Sequence, residues 1–251
     1  MPAGKNAGWF SPDYGTSRKV VLDPSILENN RCICMFSERQ EAEHFRMLRT
    51  QILHAMRDRG WSTLMVTSPR SGEGKTTTAV NLALTFAREY NHTAILVDCD
   101  LKKQSIHKIL GYESEAGLVE FLLFDKPMNE LIVWPGIEKL TIISGGRTIQ
   151  DSTELLESRR MADLVRDMKS RYEERFIIFD LPPLLEATDA MAFAPNVDGI
   201  VMVVREGITT IAEVERSIEL IPRNKFLGFV INGRKYSTST DRYYGYYGRQ
   251  G

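Results

Sequence analysis

Only three cysteines, Cys32, Cys34 and Cys99, occur in 251 residues. An odd count argues against a disulfide scaffold, and Cys32-x-Cys34 lacks the second Cys or His pair that would complete a zinc site. The three read as ordinary thiols of a reducing compartment. No run approaches the ~20 apolar residues that span a bilayer. Residues 1–10, MPAGKNAGWF, lack the apolar core of a signal peptide. Neither sign of charge dominates: 32 Lys and Arg face 33 Asp and Glu, a net charge of −1, which excludes a general nucleic-acid binder.

What remains is an ordinary globular composition, 43% hydrophobic and 26% charged, in a chain long enough for one α/β domain with a full core. Residues 1–40 are polar and broken by Gly and Pro apart from an apolar patch at 31–36, and are expected to form an extended or partly disordered arm. From Arg39 to Arg57, Phe45, Leu48, Ile52 and Met56 recur at helical spacing, while Glu43, Arg46 and Arg49 form a polar ridge on another face. Beyond Gly60, apolar runs at 62–67, 94–98, 140–143, 176–180, 199–204 and 226–231 alternate with helical stretches at 75–90, 117–123, 152–172 and 211–221. Continuous Val/Ile/Leu/Phe runs suit strands buried on both faces, so the pattern predicts a doubly wound, mostly parallel α/β sheet. Residues 237–251 are rich in Tyr, Gly and Ser without period and read as a flexible tail.

The sequence Thr67-Ser68-Pro69-Arg70-Ser71-Gly72-Glu73-Gly74-Lys75-Thr76-Thr77-Thr78 follows an apolar run and opens a helical one, the setting a phosphate-cradling loop requires. Gly72 and Gly74 let the backbone N–H groups of Ser71 to Thr77 curl round phosphates, and the helix N-terminus adds partial positive charge. Lys75 is placed to reach the β- and γ-phosphates of a nucleoside triphosphate such as ATP, and the Thr76 hydroxyl to ligate Mg2+. Pro69 stands where such loops usually begin with Gly. Two further runs, Ile95-Leu-Val-Asp98-Cys-Asp100 and Phe176-Ile-Ile-Phe-Asp180, end in carboxylates. A single Asp after a strand is ordinarily a cap or turn residue. Two beside a phosphate loop fall at the strands' carboxyl ends, where open α/β sheets bind ligands, and supply hard oxygens for Mg2+.

The phosphate loop, then Ile-Leu-Val-Asp98-x-Asp100-Leu-Lys-Lys, then Asp180-Leu-Pro-Pro183, resembles the bacterial tyrosine kinases of polysaccharide export, the BY-kinases, over about residues 35–251. Glu43-x-x-Arg46-x-x-Arg49, Gly117-Leu, Gly145-Gly146, Glu154-Leu-Leu-x-Ser158 and Val230-Ile-Asn232-Gly fit as well. The resemblance implies a MinD/ParA-like P-loop fold unrelated to eukaryotic protein kinases. It implies an arm at 1–38, a kinase domain at 39–236 whose helix at 39–58 serves oligomerisation, and a tail at 237–251. It gives Lys75 and Thr76 the Walker A roles, makes Asp98 and Asp100 the second acidic motif and Asp180 the Walker B acid, and places Asn232 against adenine. Asp98 would help hold magnesium and activate the acceptor hydroxyl. Glu43, Arg46 and Arg49 would join subunits into a ring-like homo-oligomer. By the same resemblance, the chain works at the cytoplasmic face of the cell membrane through a membrane-embedded activator of polysaccharide export.

Five of nine tyrosines, Tyr236, Tyr243, Tyr244, Tyr246 and Tyr247, lie in the last 16 residues, among Lys235, Arg242 and Arg249. A tyrosine hydroxyl, with a pKa near ~10, needs a positioned base, for which Asp98 is the candidate. The reading is therefore a tyrosine autokinase phosphorylating this cluster between subunits. Lys102 and Lys103 depart from the family's usual Arg and Gln104 from its Pro; a lysine keeps the charge but not bidentate binding. Arg70 stands where MinD/ParA proteins carry a signature Lys, either touching phosphate or lying in solvent, and keeps open the alternative of a positioning ATPase without protein substrate.

Overall fold

Continuous apolar runs fold as the strands of one sheet, buried except in the edge strand at 226–232, in the computed structural model, which describes residues 17–36, 38–90, 92–171 and 174–234. Its elements in chain order are β1 (Arg18–Lys19), α1 (Pro24–Asn29), α2 (Gln40–Arg57), β2 (Thr63–Thr67), α3 (Lys75–Ala87), β3 (Thr93–Asp98), α4 (Ile106–Leu110), α5 (Leu118–Phe124) and α6 (Met128–Leu131). Then follow β4 (Ile132–Trp134), β5 (Leu140–Ile143), α7 (Ser152–Glu157), α8 (Arg159–Ser170), β6 (Arg175–Asp180), α9 (Asp189–Phe193), β7 (Gly199–Arg205), α10 (Ile211–Glu219) and β8 (Phe226–Asn232).

The sheet order is β1-β4-β5-β3-β6-β2-β7-β8. Every pairing is parallel except β4 with β5. The expected doubly wound, mostly parallel sheet is therefore present. Parallel strands need crossovers that cover both faces, and two separate apolar cores form there. One packs α3 and α2 on the sheet, with the Phe86 and Phe176 rings stacked at 4.0 Å. The other packs α5, α8 and α9, with Phe179 against Phe193. The central strands β2, β3, β6 and β7 all point their carboxyl ends the same way, so Thr67, Asp98, Asp180 and Arg205 end on one rim.

Three expectations are revised. Residues 18–36 fold onto the domain instead of forming an extended arm: β1 pairs with β4, and Leu27, Cys32 and Cys34 enter the core. Buried Asn81 of α3 holds this segment, accepting from Cys34 N at 3.0 Å and donating to Arg31 O at 2.9 Å. A segment held by contacts this distant in sequence has no local period to announce it. The helix expected at 152–172 breaks at Ser158, whose extended backbone and Oγ, accepting from Met161 N, make it the N-cap of α8. The helix expected from 75 to 90 ends at Ala87. On α2, Ile52 and Met56 are buried and Phe45 and Leu48 pack beside them, the face the spacing predicts.

Candidate active site

The loop between β2 and α3 makes its turn on two glycines, Gly72 at φ 82° and Gly74 at φ 94°, a backbone region open to glycine at little cost. Gly74 is needed twice over, because a Cβ there would stand 2.0 Å from Asn232 Nδ2. The loop is braced from β7, from the turn that follows it and from β8. Asn232 Nδ2 donates to Glu73 O at 2.8 Å, Arg205 Nη1 donates to Gly72 O at 3.1 Å, and Thr209 Oγ1 donates to the Glu73 carboxylate. Glu73 also accepts from Arg70 N at 3.0 Å. Glu186 accepts from Ser71 N at 2.9 Å and from its hydroxyl, and these bonds hold its carboxyl below the usual range.

The expected acids converge on Lys75. Its ammonium lies 2.9 Å from Asp100 Oδ2 and 3.5 Å from both Asp180 oxygens, and Thr76 Oγ1 donates to Asp180 Oδ2 at 2.7 Å. Burial alone would lower the Lys75 pKa, but the charges of Asp180 and Asp100 outweigh it and raise the pKa above its ordinary value. Asp98 and Asp180 are register partners on β3 and β6, both wholly buried. Burial, then the Asp180 charge, push the Asp98 carboxyl up to about 7; burial also raises Asp180. One ammonium thus faces three acids, and Asp98 is the group poised to change protonation near neutrality.

Asp98 also serves as an anchor. Its Oδ2 accepts from Ser105 N and Ile106 N, each at 3.1 Å, and its Oδ1 from Asp100 N at 3.2 Å. Among the described residues no cluster of three His, Cys, Asp or Glu side chains could hold a metal ion. A P-loop magnesium does not need one, since a hydroxyl, one or two carboxylates, phosphate oxygens and water complete its shell. The touching Thr76 hydroxyl and Asp180 carboxylate are a hard-oxygen pair that fits this requirement.

Asn232, expected beside adenine, supports the loop backbone. Arg70 is half in solvent and pairs with Glu213 of α10, whose carboxyl is held down to about 2, first by the Thr210 backbone N–H and then by Arg70. On α2, Glu43 and Arg46 pair with each other, whereas Arg49 Nη1 donates to Thr85 O of α3 at 2.9 Å. Tyr236, Tyr243, Tyr244, Tyr246 and Tyr247 lie outside the described residues. Sequence reasoning missed the braces Arg205, Thr209 and Glu186. Arg205 closes an apolar run as Asp98 and Asp180 do, so the strand-end rule could have found it; Glu186 and Thr209 sit in loops without signal.

The AAA domain family matches residues 62–223. Tyrosine-protein kinase YwqD of Bacillus subtilis (strain 168) is 34% identical over 209 residues, covering 82% of this chain and 86% of that protein. The kinase domain of the Escherichia coli tyrosine kinase ETK superposes with a TM-score of 0.76 at 27% identity, over 83% of this chain and 81% of that one. The septum site-determining protein MinD of Pyrococcus horikoshii OT3, at 21% identity and a TM-score of 0.56 over 69% of this chain and 72% of that one, shares the fold. With its phosphate loop, its paired strand-end acids and this kinship, the chain belongs to the bacterial tyrosine-protein kinase family, built on the MinD-like P-loop fold.

Proposed function

We propose that the chain uses ATP and Mg2+ to phosphorylate its own C-terminal cluster, Tyr236, Tyr243, Tyr244, Tyr246 and Tyr247, from one copy to another in a ring-like homo-oligomer. The observation that carries this reading is the convergence of Lys75, Thr76, Asp98, Asp100 and Asp180 at the end of the phosphate loop. Beside it, β8 ends at Asn232, in contact with the same loop.

In this reading the loop amides of Ser71 to Thr77 and the Lys75 ammonium bind and orient the triphosphate, Lys75 moving from Asp100 and Asp180 toward the β- and γ-phosphates. Thr76 and Asp180, with Asp98 beside them, would hold Mg2+, which neutralises phosphate charge when bound. A tyrosine Oη forms its bond to the γ-phosphorus as the bond to the β–γ bridging oxygen breaks, ADP leaves, and the phenolic proton passes to Asp98. A carboxyl with a pKa near neutrality suits that task. Glu43, Arg46 and Arg49 on α2 would carry the ring contact. Each phosphate adds about −1.5 to −2 charges to a basic tail and would drive copies apart. No helix of the described residues is long and apolar enough to cross a membrane. From its kinship, the polysaccharide-export role is assigned to work with a membrane-embedded activator at the cytoplasmic face.

The test mixes two variants. Lys75→Met keeps an intact tail but no competent site, and a second variant keeps the site but carries Phe at all five tail tyrosines. Phosphotyrosine on the Lys75→Met chain, mapped by mass spectrometry, is the expected result and requires transfer between copies. ATP hydrolysis with no tail phosphotyrosine, in the mixture or in the wild type, would instead favour a positioning ATPase.

A further inference from the structure

Asp189, at the start of α9, has a wholly buried side chain. It accepts from Ser152 Oγ and Thr153 Oγ1, both at 2.5 Å, and from Lys102 Nζ at 3.3 Å. The two hydroxyls come from the first turn of α7; the ammonium comes from the segment that follows β3. Burying a carboxylate calls for a cation or full hydrogen bonding, and removing one partner strands the charge. Here the cation is drawn from the acidic-motif segment 98–105 rather than from α7 or α9.

That segment is otherwise held by the buried Cys99 and Leu101 side chains, by the Asp100–Lys75 pair and by backbone hydrogen bonds. Asp100 Oδ1 accepts from Lys103 N at 3.1 Å, Leu101 O accepts from Ile149 N at 3.2 Å, and Asp98 Oδ2 caps Ser105 and Ile106. Lys102–Asp189 adds an ionic strut between the loop bearing Asp100 and the start of α9, where the loop descending from Asp180 ends. Those two acids are the ones that grip Lys75.

We infer that Asp189 is a positioning residue for phosphoryl transfer: through Lys102 it fixes the segment that carries Asp98, the base of the proposed transfer, and Asp100. It touches neither nucleotide nor acceptor. The inference rests on the kinase reading of the site. The phosphate loop is braced independently, by Asn232, Arg205 and Thr209, so loss of the strut acts on turnover rather than on nucleotide binding.

The experiment measures ADP and phosphotyrosine together, with full-length protein, ATP and Mg2+. Asp189→Asn keeps size and hydrogen bonding but removes the charge partner of Lys102. It is expected to lower kcat about tenfold with KM for ATP changed less than about twofold, as misplacement near a reacting centre does. Lys102→Met should do the same, the double variant should be no slower than either single one, and Lys102→Arg should keep the rate. Ser152→Ala removes a hydroxyl from Asp189 without touching Lys102, and should lower the melting temperature while kcat stays. An unchanged kcat in Asp189→Asn overturns the inference. So do losses that multiply in the double variant, or a kcat loss in Ser152→Ala that tracks its melting temperature. ADP without phosphotyrosine in the wild type would fail the kinase reading alone, because the strut remains readable in ADP formation.

Discussion

Asp98 and Asp180 sit directly opposite each other on adjacent parallel strands, both without solvent exposure. Two like charges this close in a buried rim do not both ionise freely, and Asp98 is the acid pushed up to about 7. In an unfolded chain an Asp releases its proton near ~3.9. Between those values the folded chain holds a proton that the unfolded one loses. The stability this adds is full below the unfolded value and disappears as pH rises through about 7. In EDTA, the urea midpoint of the wild type should fall from about pH 5 to about pH 8, and Asp98→Asn should flatten that fall. Parallel curves for the two proteins would contradict the assignment.

Lys75 is the cation that lets Asp98, Asp100 and Asp180 share one buried site. Lys75→Met should abolish phosphotyrosine formation and also cost stability, about 3 kcal/mol at pH 8, since breaking a buried ion pair strands its partners. The penalty should shrink at pH 5, where Asp98 and Asp180, both raised by burial, take up protons instead. Chemical denaturation at both pH values measures it, and a pH-independent penalty would mean that the carboxylates are not what Lys75 stabilises.

How much of this was legible follows from the range of each interaction. The six apolar runs, the phosphate loop and the acids at 98, 100 and 180 carry local signals, and each lies where the strand-end rule puts it. The segment at 18–36 was not legible, because β1 has two residues and its anchor, Asn81, is supplied by α3. Asp189 was hidden for the same reason: a Thr-Asp before a short helix reads as a cap, and only the fold brings Lys102 to it. Asn232 was found through resemblance, yet its amide meets the loop backbone rather than a free crevice.

That contact separates two roles for Asn232. If it braces the loop, Asn232→Ala leaves Glu73 O without its donor and loosens the cradle for any triphosphate. Binding of ATP and GTP should weaken together, by about fivefold for a loss near ~1 kcal/mol. Calorimetric titration with both nucleotides reads the outcome; weakened ATP binding with unchanged GTP binding would assign Asn232 to adenine.

The Thr76 hydroxyl, 2.7 Å from Asp180, sets the expectation for metal. Chelation should stop phosphotyrosine formation, and Thr76→Ala should raise the Mg2+ concentration for half-maximal rate at least about tenfold, with Thr76→Ser restoring it. An unaltered Mg2+ requirement in Thr76→Ala would remove this side chain from the metal's shell.

The polar ridge of α2 divides in the same way. Glu43 is exposed and Arg46 partly so, and they pair with each other, an interaction worth little in water. Arg49 instead reaches Thr85 O, and its Nε is buried without a hydrogen-bond partner. If the ridge joins copies, Arg46→Ala should shift sedimentation from oligomer to monomer at unchanged melting temperature. Arg49→Ala should do both, dissociating the assembly and destabilising the monomer by about 1 kcal/mol through the lost bond to α3. An Arg46→Ala protein that sediments as the wild type would leave the ridge a solvated helix face and move the contact between copies elsewhere.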